Sequence, residues 1–247
     1  MPTAILIDGD FFLRRYRRLK GKNTPNIVAK DLHRMCLLHL TQDRYSSKGH
    51  LLRKDRRNLY RIFFYDCPPL KKKVQNPVVK RTIDLSKTST ALWRDSFHQE
   101  LKKLRKVALR LGYIHERSGG WLIRHGKVKD LLRGNITLAQ ITEGDVYYDV
   151  EQKGVDMRIG LDIASLAYKK QVDQIILVSG DSDFVPAAKL ARREGVDFIL
   201  DPMWAPIRED LHEHIDGLRS IFLRPITNQN DTLLGSPVDD ASHPQTT

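Results

Sequence analysis

Residues 175–186, Ile-Ile-Leu-Val-Ser-Gly-Asp-Ser-Asp-Phe-Val-Pro, constrain the fold of this 247-residue chain more than any other stretch. Four branched apolar residues in a row predict a strand buried on both faces. The run breaks at Ser179-Gly180, where the chain must turn, and two carboxylates follow one residue apart. Pro186 suits the first turn of a helix, and Ala187, Leu190 and Ala191 continue at helical spacing. Asp181 and Asp183 are thus expected at the carboxyl end of a central parallel strand, where open α/β sheets place their ligands.

A second apolar run, Ala4-Ile5-Leu6-Ile7, ends in Asp8-Gly9-Asp10. A third acidic group, Asp156 and Asp162, lies just upstream of the first stretch. If the two strands are neighbours, four or more carboxylates converge. Two unit charges about 4 Å apart repel by roughly 4 kcal/mol at an effective dielectric near 20. A divalent metal is the usual remedy, and an oxygen-only donor set favours Mg²⁺ or Mn²⁺ over zinc.

The strings Ile7-Asp8-Gly9-Asp10, Lys153-Gly154-Val155-Asp156, Leu161-Asp162 and Ser179-Gly180-Asp181-Ser182-Asp183-Phe184 resemble the NYN domain in its bacterial LabA-like branch. That family is related to PIN and flap nucleases. The resemblance covers roughly residues 1–224 and is specific near 4–12 and 146–205. It implies a three-layer Rossmann-like (PIN-like) parallel sheet flanked by helices, and a metal-dependent ribonuclease. One position departs from the pattern. Many family members carry Asn three residues after the first Asp, where this chain has Phe11.

The net charge is +12, and the body of the chain is more basic than that. Residues 227–247 hold three of the 30 acids, Asp231, Asp239 and Asp240, and none of the 42 Lys and Arg; without them the rest carries +15. Such a balance suits a polyanionic partner, which the resemblance implies to be RNA. Cys36 and Cys67 are far apart, without the spacing of a zinc site or a disulfide framework. The first strand begins within a few residues of Met1, leaving no room for a signal peptide, and no apolar run approaches a membrane span. The expected location is cytoplasmic, and homo-oligomerisation is left open.

Along the chain, Phe11–Lys20 reads as a short helix or loop leading into a helix at 27–40. Residues 43–58 and 70–89 read as basic loops or insertions. Residues 61–66 read as a buried strand ending in Asp66-Cys67-Pro68-Pro69, and Asp66 more often caps a turn than serves a site. Trp93, Phe97, Leu101, Leu104, Ala108 and Leu111 keep helical steps. Residues 112–117 and 121–124 read as two strands around a turn at 118–120, and 146–150 as a short strand. Val155, Ile159, Ile163, Leu166 and Ala167 mark the face of a helix. Strands are expected at 196–200 and 220–223, with a helical stripe at Ile207, Leu211, Ile215 and Leu218. The nuclease domain is expected over 1–226, with a disordered polar tail at 227–247.

The function expected is hydrolysis of RNA phosphodiesters by a metal-dependent nuclease. Asp8, Asp156, Asp181 and Asp183 are the candidate catalytic residues and metal ligands. Asp10 and Asp162 are second-tier ligands or orienters; Asp162, six residues past Asp156, does not share its helix face. Ser179 and Ser182 can hydrogen-bond a carboxylate or a phosphate. Arg14, Arg15, Arg17, Arg18, Lys71, Lys72 and Lys73 are candidates for backbone contacts. Two rivals differ in class. A haloacid-dehalogenase-like phosphatase also uses Asp-x-Asp after its first strand, but Phe12 stands where that family wants Thr or Val. A catalytically weak or inactive RNA-binding regulator would keep the same fold and pocket.

Overall fold

The computed structural model describes residues 2–45, 51–56 and 58–223. The expectation of a disordered tail at 227–247 therefore lies outside the described residues. In chain order, β1 (Pro2–Asp8) leads into α1 (Gly9–Lys20) and α2 (Pro25–His39). A hairpin of β2 (Thr41–Tyr45) and β3 (Leu51–Arg56) precedes β4 (Asn58–Asp66). A small hairpin, β5 (Lys73–Gln75) and β6 (Thr82–Asp84), leads to α3 (Ser89–Lys102) and β7 (Val107–Leu111). Then come β8 (Tyr113–Ile123), α4 (His125–Leu132), β9 (Val146–Lys153) and α5 (Val155–Tyr168). The chain continues with β10 (Gln174–Val178), α6 (Val185–Arg193), β11 (Asp197–Asp201), α7 (Glu209–His212) and β12 (Gly217–Leu218).

Six strands form one sheet in the order β12-β11-β10-β1-β4-β7, every pair parallel. The strand period of two sends alternate residues to opposite faces. Ala4, Leu6, Ile175 and Leu177 meet Ile159, Ile163, Ala188 and Ala191 of α5 and α6. Ile5, Ile7, Ile176 and Val178 meet Phe12, Leu32 and Phe97 of α1, α2 and α3. The result is the expected three-layer α/β architecture. Each large side chain buried in these layers contributes about 1.5–3 kcal/mol. Gly9 is required by closeness: a Cβ there would meet the Tyr65 carbonyl and lie 2.8 Å from the Phe64 ring. That close approach seats the start of α1 against β4.

Several elements differ from the sequence expectation. The helix expected through Leu111 ends at Lys102, and residues 107–111 are an edge strand of the main sheet. Lys106 adopts φ 62°, which no helix continues through. Beyond it Val107 and Leu109 pack on one face and Ala108 on the other, a strand period that mimicked helical steps. Residues 113–123 are one long strand rather than a hairpin; β8 pairs antiparallel with β9, its register shifting between Glu116 and Trp121. The basic segments at 43–58 and 70–89 carry the two small hairpins. Leu211 is buried and Ile207 and Ile215 pack beside it, yet the helix there is only four residues, and Leu218 sits in β12. Residues 220–223 form no strand; Ile221 and Phe222 pack against the α1 side of the sheet instead.

Candidate functional site

The register places the acids. Ile7 pairs with Val178, so Asp8 ends β1 level with Ser179 at the end of β10. On its other side Asp8 pairs with Tyr65, so Asp66 lies one residue further along β4. The carboxyl ends of β4, β1 and β10 thus form one crevice.

Asp8 caps α1. One carboxylate oxygen accepts from the Phe11 amide at 3.2 Å and the other from the Ser179 hydroxyl at 3.3 Å. The same Ser179 oxygen accepts from the Asp181 amide at 3.3 Å. Asp8 and the Asp181 backbone are therefore each one hydrogen bond from a single fully buried hydroxyl. Asp181 in turn accepts from the Asp183 amide at 3.0 Å and caps the 3₁₀ turn Ser182–Phe184 that leads into α6. Ser182 opens that turn.

Asp156 arrives from the other layer. Gly154, at φ 77°, turns the chain out of β9 in a conformation that disfavours side chains. Asp156 then falls in the first turn of α5. Burial raises its pKa, and so do the charges of Asp181 and Asp183. Burial likewise pushes Asp8 up to about 6; the Phe11 amide and the Arg14 charge oppose this, while Asp156 and Asp10 add to it. Asp156 and Asp10 thus act on Asp8, and Asp181 and Asp183 on Asp156, by like-charge repulsion.

Among the described residues, no three His, Cys, Asp or Glu side chains form a ready-made metal cage. The acids at this edge offer one kind of donor. All are carboxylates, and Asp8 and Asp156 bear charges their surroundings disfavour. Mg²⁺ retains several waters and needs only one or two protein carboxylates, so an oxygen-only donor set of this kind would suit it.

The remaining candidates are placed differently. Asp10 lies 3.5 Å from Arg14 and 3.8 Å from Arg94. Asp162 accepts from the Tyr65 hydroxyl at 2.7 Å and lies 3.3 Å from Arg110, so it is tied to the sheet rather than to the other acids. Arg15 donates twice to the Met203 carbonyl, at 3.0 and 2.6 Å. Arg17 lies over the Trp93 ring at 5.7 Å. Arg14 and Arg18 are exposed. Lys71 pairs with Asp95 at 3.2 Å and Lys72 with Glu116 at 2.6 Å. Lys73 stands opposite Asp84 in the β5–β6 hairpin.

A second polar group flanks the crevice, and sequence reasoning gave it little weight. Asp66 is fully buried. It accepts from Arg94 at 2.5 Å, from His98 at 2.7 Å and from the Cys67 amide at 2.8 Å. Burial alone would raise its pKa; the hydrogen bond from His98 and the charge of Arg94 outweigh that and hold it below the usual carboxylate range. The signal was present: Arg94 and His98 are four apart on α3 and so share a face.

An all-parallel six-stranded sheet, covered on both faces and carrying acids at the carboxyl ends of adjacent central strands, defines an open α/β protein with a crevice site. Residues 89–209 match the family model of the NYN domain, a span holding Asp156, Asp181 and Asp183 but not Asp8. NYN domains generally act as nucleases on nucleic acid. No curated protein matches the chain. A solved protein of unknown function from Vibrio parahaemolyticus RIMD 2210633 is similar at 16% identity, with a TM-score of 0.45, covering 89% of this chain and 92% of that one. Among the described residues no helix is long and apolar enough to cross a membrane.

Proposed function

We propose that this chain is a metal-dependent ribonuclease of the NYN type, with Mg²⁺ or Mn²⁺ as its cofactor. Asp8, Asp156, Asp181 and Asp183 are the residues that would hold the metal. When bound, the ion would supply an activated water and charge stabilisation for in-line displacement at phosphorus. The protein's own part is to hold the carboxylates and the RNA backbone. Ser179 fixes Asp8 against β10, Asp181 fixes the turn that carries Asp183, and exposed Arg14 and Arg18 meet phosphates. The reading rests on one observation above others. Asp8 ends β1 beside β10, and its carboxylate accepts from the Ser179 hydroxyl whose oxygen also accepts the Asp181 amide, so two acidic segments are held at one edge of the sheet.

The test is incubation of labelled single-stranded RNA with Mn²⁺ or Mg²⁺, with and without chelator, for the native chain and for Asp8→Asn and Asp181→Asn. Cleavage that needs metal and disappears in both folded variants supports the reading; chelator-resistant cleavage, or full activity in either variant, refutes it.

Phe11 favours a second reading, an RNA-binding regulator without turnover. Its ring packs on Gly180, where a Cβ would lie 2.9 Å from it, and it stands where many members of the family the chain resembles carry Asn. A mobility shift in Mn²⁺ with no cleavage would select this alternative.

A further inference from the structure

Beside the acids, on the β4 side, lies a cleft of about 260 Å³ that the mechanism above does not use. It lies between the segment after β4, the start of α3 and the β8–β9 hairpin. Its walls are mainly apolar, with Pro68, Leu85, Ile114 and Val150 among them. Thr88, Thr90 and Gln152 also line it, and its two largest polar groups, Tyr148 and Arg94, are held in place. Tyr148 donates to Glu116 at 2.5 Å, and the Trp121 ring meets the Tyr148 ring edge-on at 5.5 Å. Lys72 bonds the same Glu116 at 2.6 Å and so ties the hairpin to the segment after β4. Arg94 lines the cleft, anchored on buried Asp66 at 2.5 Å. From there its guanidinium also reaches within 3.8 Å of Asp10, two residues from Asp8.

We propose that this cleft takes one nucleobase of the RNA strand, with Arg94 contacting an adjoining phosphate of the strand as it passes to the acids. The inference rests on the RNA reading above. Size, chemistry and position carry it. The volume falls below the roughly 300–1,000 Å³ of sites for drug-sized ligands, which suits a single heterocycle. Apolar and aromatic walls accept the faces of an unstacked base whatever its identity. A fixed cation at the edge matches the phosphate that accompanies every base, and Asp10 marks the place where an anion sits against that cation. The cleft and the acids share Arg94 as a border, so a strand bound in both spans neighbouring nucleotides.

Two variants fill the cleft from different elements without touching the acids or Arg94: Val150→Trp on β9 and Leu85→Trp after β6. Single-stranded RNA oligonucleotides, intact or carrying one abasic nucleotide at successive positions, are titrated into the full chain by fluorescence anisotropy in chelator. In the native protein, one abasic position should weaken binding by about 5- to 150-fold, the span of a base–aromatic stack. Each Trp variant should weaken intact RNA similarly and become indifferent to the abasic position. A flat abasic scan, or native affinity in both Trp variants, overturns the subsite while leaving the nuclease reading intact. No binding of any RNA overturns both. Coupled loss of affinity without cleavage in Mn²⁺ keeps the subsite and removes only the catalytic reading.

Discussion

The Ser179 hydroxyl donates to the Asp8 carboxylate at 3.3 Å, across the parallel pair β1 and β10. Because its oxygen also accepts the Asp181 amide, one buried side chain sets the spacing of two acidic segments 173 residues apart in sequence. Ser179→Ala leaves the strands intact and removes both bonds. A typical intramolecular hydrogen bond contributes about 1 kcal/mol net, and an unpaired buried partner costs about 1–3 kcal/mol. The expected loss on chemical denaturation is therefore about 1–3 kcal/mol. Mn²⁺ affinity should fall with it, measured by calorimetry. A variant with native stability and native metal affinity would show that this hydroxyl organises nothing.

Asp8 gives the metal-free protein a distinctive pH dependence. Its folded pKa, about 6, lies above its unfolded value. The folded state thus holds that proton more tightly. The resulting stabilisation is complete below pH about 4 and is lost as pH rises through about 6. At 1.36 kcal/mol per unit the loss is at most roughly 3 kcal/mol. Asp8→Asn keeps an acceptor for the Phe11 amide and carries no charge. In chelator it should match the native protein at pH 4 and exceed it in stability by about 1–3 kcal/mol at pH 7.5. Mn²⁺ should close that gap by stabilising the native chain alone. Equal pH profiles for the two proteins would contradict the assignment.

What could be read from the sequence follows from how far each interaction reaches along the chain. The runs at 4–7 and 175–178 are strands because successive large apolar residues have few other homes, and their pairing puts Asp8 level with Ser179. Val155, Ile159, Ile163, Leu166 and Ala167 were legible as a helix face, and all are buried. The end of α3 was not legible, because Leu104 belongs to the same apolar face while Lys106 turns the chain through a left-handed conformation. The β8–β9 pairing was missed because its strands lie on either side of α4. Asp66 was undervalued for a related reason. From sequence it is a carboxylate before Cys-Pro-Pro; only the fold brings Arg94 and His98 onto it. Asp162 shows the converse: it resembles a ligand by motif, and Tyr65 and Arg110 engage it.

The arginines of α1 divide by what they hold. Arg14 and Arg18 are exposed, whereas Arg15 donates both its bonds to the Met203 carbonyl in the turn after β11. Each phosphate contact removed should reduce the slope of log affinity against log salt by about 0.7 for a single strand. Arg14→Ala and Arg18→Ala should each lower that slope for single-stranded RNA and leave the melting temperature nearly unchanged. Arg15→Ala should leave the slope unchanged and destabilise the fold by about 1–3 kcal/mol, since a buried carbonyl loses its charged donor. A salt slope that responds to Arg15 as strongly as to Arg14 would place the RNA path on the other side of α1.

Phe11 packs closely on Gly180 at the mouth of the crevice. A Cβ on Gly180 would stand 2.9 Å from one ring carbon of Phe11 and 3.4 Å from the next. The ring is packed against the α1 side of the core, so it cannot swing away freely. Gly180→Ala must therefore push Phe11, and the Phe11 amide is the donor that caps α1 through Asp8. Overpacking of this kind typically costs about 1–3 kcal/mol. The displacement is transmitted to the carboxylate at the centre of the proposed site, so metal affinity should fall together with stability. Phe11→Ala removes the obstructing ring at the cost of its own buried surface. Added to Gly180→Ala, it should restore part of the lost stability and metal affinity. Contacting residues couple by 0.5 kcal/mol or more in such a cycle, and independent ones add within about 0.3–0.5 kcal/mol. Strict additivity would mean that Phe11 does not press on the Ser179-Gly180 turn. A coupled result would identify this contact as the means by which the chain sets the position of Asp8.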